Sequence, residues 1–226
     1  MSRKKSHPCN EYIIKDGKFI RDFEAMYQNV LDPWNQKARH QESLLNNSTF
    51  WFLQDVIRMG KPPRSILDIG CSEGYYAKNL LKISEYPQAM YVGTDVSSTV
   101  IQKAKLSTSV KEKHRVSFYV DDIRILNKEF IGRFDLVFSS KTLYYVAPEI
   151  DLVLNHIDSY LVENGFFCFN INTTPDAFSN KWMTYEILRK KILEKEYIEK
   201  IFVEINRFGQ ETLVIGIYQK INLKKW

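Results

Sequence analysis

A chain of 226 residues has the size of one domain and is long enough to build a full hydrophobic core. Its 44% hydrophobic and 26% charged residues are those of a folded soluble protein, which excludes a disordered chain. Acidic residues are interleaved among the lysines, so the net charge of +5 reads as solvated helix faces rather than a nucleic-acid surface, with a mild pull on anions.

Residues 1–18 are basic and polar with no apolar stretch behind them, so a mobile tail and no secretory signal are expected. Phe19 to Asn29 and Gln36 to Arg58 read as helices. They are interrupted at Asp32-Pro33-Trp34 and stopped by Lys61-Pro62-Pro63, where proline cannot continue a helix. Cys9, Cys71 and Cys168 form an odd set without C-x-x-C or zinc spacing, which predicts reduced thiols, no metal site and a cytoplasmic setting. No apolar run reaches the roughly 18–20 residues of a membrane span.

Ser65-Ile-Leu-Asp-Ile-Gly-Cys-Ser-Glu-Gly74 reads as a buried strand, a tight turn and the start of a helix over Tyr75 to Ser84. Gly70 and Gly74 let the backbone turn and approach a ligand, which the helix N-terminus would favour if it were anionic. The run Asp68-x-Gly70-x-x-x-Gly74 lacks the middle glycine of a dinucleotide fingerprint, which disfavours a nicotinamide dehydrogenase. Tyr91 to Val96 is a second strand. It ends on Asp95, 21 positions after Gly74, where a carboxylate can accept both ribose hydroxyls of an adenosine or else cap the next helix with Ser97 and Ser98. Val116 to Val120 is the third strand, followed by Asp121-Asp122-Ile123, with Asp121 expected to point to the other side.

Phe134 to Ser140 is the fourth strand and leads into Lys141-Thr-Leu-Tyr-Tyr-Val146. Glu149 to Leu161 carries an apolar helical stripe, and Asn164-Gly165 turns into a strand from Phe166 to Asn172. A polar loop to Lys181 precedes a helix ending near Glu196. Ile198 to Asn206 and Glu211 to Lys220 then read as a hairpin around Phe208-Gly209-Gln210. Alternating strands and helices imply right-handed crossovers and a parallel sheet.

These segments resemble the class I S-adenosylmethionine-dependent methyltransferases. Phe134-Asp-Leu-Val, Leu143-Tyr-Tyr, Leu67-Asp-Ile-Gly-Cys-Ser, Asp122-Ile123 and Asp32-Pro33-Trp34 are similar to the NodS group, which N-methylates a chitooligosaccharide in nodulation-factor synthesis. That resemblance runs from about Asp32 to about Phe169. It implies an α/β, Rossmann-like, seven-stranded and mostly parallel sheet with a C-terminal antiparallel hairpin and helices on both faces. A helical lid over 19–60 would cover a core of 61–226 in one domain. It also implies that S-adenosyl-L-methionine is held by Asp68, Gly70, Cys71, Ser72, Gly74, Asp95, Val96, Asp122, Ile123 and Ser140. Trp34 and Arg39 of the lid would hold the carboxylate and cover the methionine arm. One departure stands at Lys141, where many relatives place an acidic residue, and a cation there disfavours an amino-sugar acceptor.

The sulfonium methyl is attacked in line and leaves a neutral thioether, so alignment and, where needed, a base are what the protein supplies. Tyr144 and His40 are the candidate catalytic residues, while His114 is expected far from the pocket and His156 on the outer face of its helix. The expected acceptor is a small polar molecule, a sugar or nucleotide-linked intermediate of surface-glycan biosynthesis, methylated on N or O. A non-catalytic cofactor-binding regulatory module is the alternative, and a homodimer stays open. The aromatics Phe23, Tyr27, Trp34, Phe50, Trp51 and Phe52 lead to the expectation that Phe23 to Phe52 packs over the cofactor.

Overall fold

The computed structural model describes residues 9–36, 43–109 and 112–221. The described chain opens with a short helix, α1 (Asn10–Ile13), and a two-stranded hairpin of β1 (Ile14–Lys15) and β2 (Lys18–Phe19). The expected tail therefore does not extend past Cys9. Cys9 and Ile13 are buried, and Cys9 Sγ donates to the Pro33 carbonyl at 3.0 Å. Phe19 pairs within the hairpin, so the next helix, α2 (Phe23–Asn29), starts later than expected, capped by Asp22 through the Ala25 N–H.

The main sheet holds β3 (Ser65–Ile69), β4 (Met90–Asp95), β5 (Val116–Val120), β6 (Phe134–Ser140), β7 (Leu161–Thr173), β8 (Tyr197–Arg207) and β9 (Glu211–Lys220). Their order is β5-β4-β3-β6-β7-β9-β8. β3 to β7 run parallel, and β9 lies antiparallel between β7 and β8. This is the expected Rossmann-like sheet with its C-terminal hairpin.

Side chains alternate across that sheet, as a pleated strand requires. Ile66, Leu136, Phe138, Cys168 and Ile215 face a layer of α3 (Leu44–Arg58), α4 (Ala77–Ile83) and α5 (Ser98–Ser107). Leu67, Val137, Phe167, Phe169 and Val214 face α6 (Ile150–Tyr160) and α7 (Tyr185–Leu193). Each fully buried aliphatic or aromatic side chain of this kind contributes about 1.5–3 kcal/mol. Leu53, Val56 and Ile57 of α3 belong to the first layer. The later part of the expected lid thus packs into the same core as the sheet.

The direction of strand succession reverses between β3 and β6. Ligands in open α/β sheets bind in the crevice at such a switch point, outside the carboxyl ends of the strands.

Candidate active site

A cavity of about 870 Å³ occupies that crevice. Its rim is built from residues at the carboxyl end of each strand: Gly70 after β3, Asp95 and Val96 at β4, Asp121 to Arg124 after β5, and Ser140 to Thr142 at β6. Four of its wall residues other than glycine, Arg21, Asn35, Ser72 and Lys141, hold φ between 51 and 56°. Left-handed backbone at such residues is uncommon and persists where surrounding contacts enforce it.

The glycine turn is tied to the neighbouring strand. Gly70 N–H and Cys71 N–H both donate to the Thr94 carbonyl, at 2.8 and 2.9 Å. Gly70 has φ +72°, and a Cβ there would run into the Thr142 side chain. Gly74 also has positive φ, but a Cβ there would lie 2.6 Å from the Phe118 ring, so its absence makes room for that ring and not for a ligand. Cys71 is likewise turned into the core beneath the turn. Neither is on the cavity wall, which corrects the expectation for both.

Asp68 is a third correction. It follows Ile66 by two positions and shares its face, so it lies under the site and off the cavity wall. One carboxylate oxygen accepts the Tyr91 hydroxyl at 2.6 Å, and the other has no partner among the described residues. Burial pushes its carboxyl up to about 7.

Asp95 does reach the cavity. Its two oxygens accept the Ser72 and Ser97 N–H groups, each at 3.1 Å, so it bridges the glycine turn and the start of α5. Burial outweighs these bonds and pushes the carboxyl up to about 6. Asp122 sits on the wall and forms a bidentate pair with Arg124. Burial opposes its charge, but Arg124 holds the carboxyl below the usual range. Asp121 lines the cavity too and accepts from Asn127 Nδ2 at 3.0 Å. It was expected on the opposite side, but β5 ends at Val120 and strand alternation stops there.

Ile123 forms an apolar wall, and its carbonyl is held by His156 Nδ1 at 2.7 Å. His156 is buried, not on the outer face, because this loop packs back on α6. His114 is exposed. Ser140 lines the cavity and donates to Asn170 Oδ1 at 2.9 Å; Asn170 Nδ2 donates to Thr49 of α3 at 3.0 Å.

Tyr144 and Tyr145 both line the cavity, with ring centroids 4.4 Å apart. Burial pushes the Tyr144 phenol up to about 12. Arg39 and His40 lie outside the described residues. Trp34 is on the wall and donates through Nε1 to the Tyr27 hydroxyl at 3.1 Å.

The contacts that hold the N-terminal cover in place escaped the sequence reading. Ser72 Oγ donates to Gln36 Oε1 at 2.8 Å, which leaves it to accept from Tyr27, 3.1 Å away. Glu24 of α2 accepts from the Ser97, Ser98 and Thr99 hydroxyls at 2.7, 3.1 and 2.6 Å. These bonds, that of Thr99 first, hold its carboxyl down at about 2. Arg21 forks onto Glu149 at 3.0 and 2.7 Å and donates to the Tyr145 carbonyl at 2.8 Å. Long-range polar pairs of this kind leave no periodicity in a sequence. A Ser-Ser-Thr run at a helix start is the one weak signal, since it predicts free donors there.

A methyltransferase-domain family profile matches residues 61–209, which takes in β3 to β8 and the whole glycine turn. The chain belongs to the methyltransferase-domain family. Its architecture is the class I fold, whose cofactor is S-adenosylmethionine. The NodS N-methyltransferase of Bradyrhizobium japonicum, solved with S-adenosyl-L-homocysteine, superposes with a TM-score of 0.65 at 18% identity, over 88% of this chain and 97% of that one. By sequence, this methyltransferase is similar to malonyl-[acyl-carrier protein] O-methyltransferase 1 of Ilyobacter polytropus, at 27% identity over 71% of the chain and 55% of the relative. The corresponding Legionella pneumophila enzyme is 25% identical over 61% of the chain and 46% of the relative. The chain thus spans about half the length of the curated relatives it matches. Among the described residues no helix is long and apolar enough to cross a membrane.

Proposed function

We propose that this chain transfers the methyl group of S-adenosylmethionine to a small polar acceptor in the cytoplasm. The observation that carries the reading is Asp95, a buried carboxylate on the wall of a large cavity, bonded to the Ser72 N–H of the glycine turn. The donor set fits the cofactor. Asp95 would take the ribose hydroxyls, Asp122 the adenine amino group, and Val96 and Ile123 the faces of the ring. Gly70, Ser72, Ser140 and Trp34 would surround the methionine arm. The cofactor supplies an electrophilic methyl on a cationic sulfur, and the protein aligns an acceptor behind it and excludes water.

Two acceptor classes are supported by the likenesses. The NodS likeness supports a sugar or a sugar-linked intermediate of a surface glycan. The relatives' names support an acyl group on a carrier protein. The rival of a non-catalytic cofactor-binding module has the same cavity but no turnover.

Titration calorimetry with S-adenosylhomocysteine tests the cofactor half: saturable binding is expected, with none for NAD. Release of S-adenosylhomocysteine in the presence of an acceptor panel tests the catalytic half. Binding of NAD in place of S-adenosylhomocysteine would sink the reading.

A further inference from the structure

The sheet order puts the ends of β7, β9 and β8 on the opposite side of β3 from β4 and β5. The cavity end beyond Ser140 is therefore separate from the carboxylates of the adenosine end. It is walled by Lys141, Tyr144, Asn172, Arg207 and Glu211. Two of these already satisfy Glu211: Asn172 Nδ2 donates to it at 2.8 Å, and Arg207 pairs with it at 3.4 Å.

Lys141 is different. It is half-buried, and its ammonium makes no hydrogen bond or ion pair among the described residues. Burial lowers its pKa, and the charge of Glu211 only partly opposes this. Its backbone is held at φ 56° while its N–H donates to the Asn170 carbonyl at 2.8 Å. A cation without a hydrogen bond or ion pair among the described residues thus stands on the cavity wall, with Glu211 its nearest opposing charge. Such a group is stabilised by an anion that enters the cavity.

Resting on the methyltransferase reading, we infer that the methyl acceptor is a carboxylate seated on Lys141 and that the product is a methyl ester. One unpaired cation matches one singly charged group. A carboxylate is already ionised at neutral pH, so no base is needed, and no histidine lines the cavity among the described residues. One carboxylate oxygen attacks the methyl carbon of the sulfonium. The C–O bond forms as the C–S bond breaks, and the bond's electron pair stays on sulfur. The carboxylate and the sulfonium both become neutral, and no proton moves. Lys141 positions the acceptor and is left unpaired again when the ester forms, which favours product release.

The test uses malonyl-, succinyl- and glutaryl-pantetheine thioesters, titrated into the chain saturated with S-adenosylhomocysteine. At least one should bind saturably, and its methyl ester, which lacks the charge, should not. Lys141→Gln should weaken that binding at least about tenfold, whereas Lys141→Arg should stay within about threefold. Both variants should keep the wild-type affinity for S-adenosylhomocysteine. With S-adenosylmethionine, the same thioester should yield a methyl ester, while glucosamine should yield nothing. The inference is overturned if no thioester binds better than its methyl ester, if Lys141→Gln binds like wild type, or if glucosamine is the acceptor turned over. Failure of S-adenosylhomocysteine to bind the wild-type chain overturns the methyltransferase reading as well, and separates the two failures.

Discussion

The Tyr27 hydroxyl and Ser72 Oγ are 3.1 Å apart, and this bond joins the N-terminal cover to the glycine turn. The protons in this cluster run one way: Trp34 donates to Tyr27, Tyr27 to Ser72, and Ser72 to Gln36. Tyr27→Phe therefore removes two hydrogen bonds of this part-buried cluster, the one from Trp34 and the one to Ser72. A cost of about 1–3 kcal/mol is expected, which for a chain of this size is a melting-temperature drop of roughly 2–12 °C. Affinity for S-adenosylhomocysteine should fall as well, by about fivefold or more. Unchanged melting and unchanged affinity would show that the chain of bonds holds nothing together.

Glu24 latches α2 to the start of α5 through three hydroxyls. Glu24→Ala should loosen the cover and leave the sheet intact. The dissociation rate of S-adenosylhomocysteine is expected to rise. Amide exchange should quicken over residues 23–30 and stay slow in β3 and β6. Equal acceleration in β3 would instead mean that Glu24 supports the whole fold.

Gly74 and Gly70 separate packing from ligand contact. Gly74→Ala places a Cβ 2.6 Å from the Phe118 ring at a positive φ, and a destabilisation of about 1–3 kcal/mol is expected. The folded fraction should still bind S-adenosylhomocysteine with wild-type affinity, and Phe118→Leu should recover part of the stability. Gly70→Ala should damage cofactor affinity more than Gly74→Ala does, because Gly70 is on the cavity wall. The two glycines exchanging these phenotypes in calorimetry and thermal melts would refute the assignment.

The buried carboxyls set a pH dependence. Folding raises Asp68 from 3.8 to about 7 and Asp95 from 3.8 to about 6, through burial. Between those limits the folded state keeps protons that the unfolded chain has lost. Stability from these two groups therefore falls as pH rises from about 4 to about 7. Glu24 has the opposite sign: its carboxyl is lowered from 4.5 to about 2, so its contribution is present above 4.5 and lost as pH falls toward 2. Asp68→Asn should flatten the decline between pH 4 and 7 in urea melts. An unaltered slope in that variant would remove Asp68 from the account.

The sheet was legible because its strands are buried on both faces and read as apolar runs, unbroken in Leu136 to Phe138 and interrupted only by Asp68 in Ile66 to Ile69. The position of Asp95, Asp122 and Ile123 on the cavity wall was legible because strand ends in this fold all open onto one edge. Gly74 and Cys71 were misread because a motif's spacing is the same whether a glycine makes room for a ligand or for Phe118. Residues 10–18 look like a tail since their apolar partners, Met26 and Tyr27, lie well along the chain. Lys141 stood out in the sequence as a cation where many relatives carry an acid, whereas Glu24 and Arg21 were out of reach, since their roles depend on which groups the folded chain brings together.

The two ends of the cavity rest on very different foundations. The end at Asp95 and Asp122 is made of strand termini, and Asp95 also braces the glycine turn. The end at Lys141, proposed above to seat the acceptor, borrows Arg207 and Glu211 from a surface hairpin whose tip, Phe208, is 98% exposed. Substitutions at that hairpin change the pocket while the core stays as it is, because surface loops tolerate replacement far better than packed strands do. Descendants of this chain can therefore drift toward new acceptors through β8 and β9 while inheriting the same cofactor grip, so substrate range should diversify faster than the reaction itself.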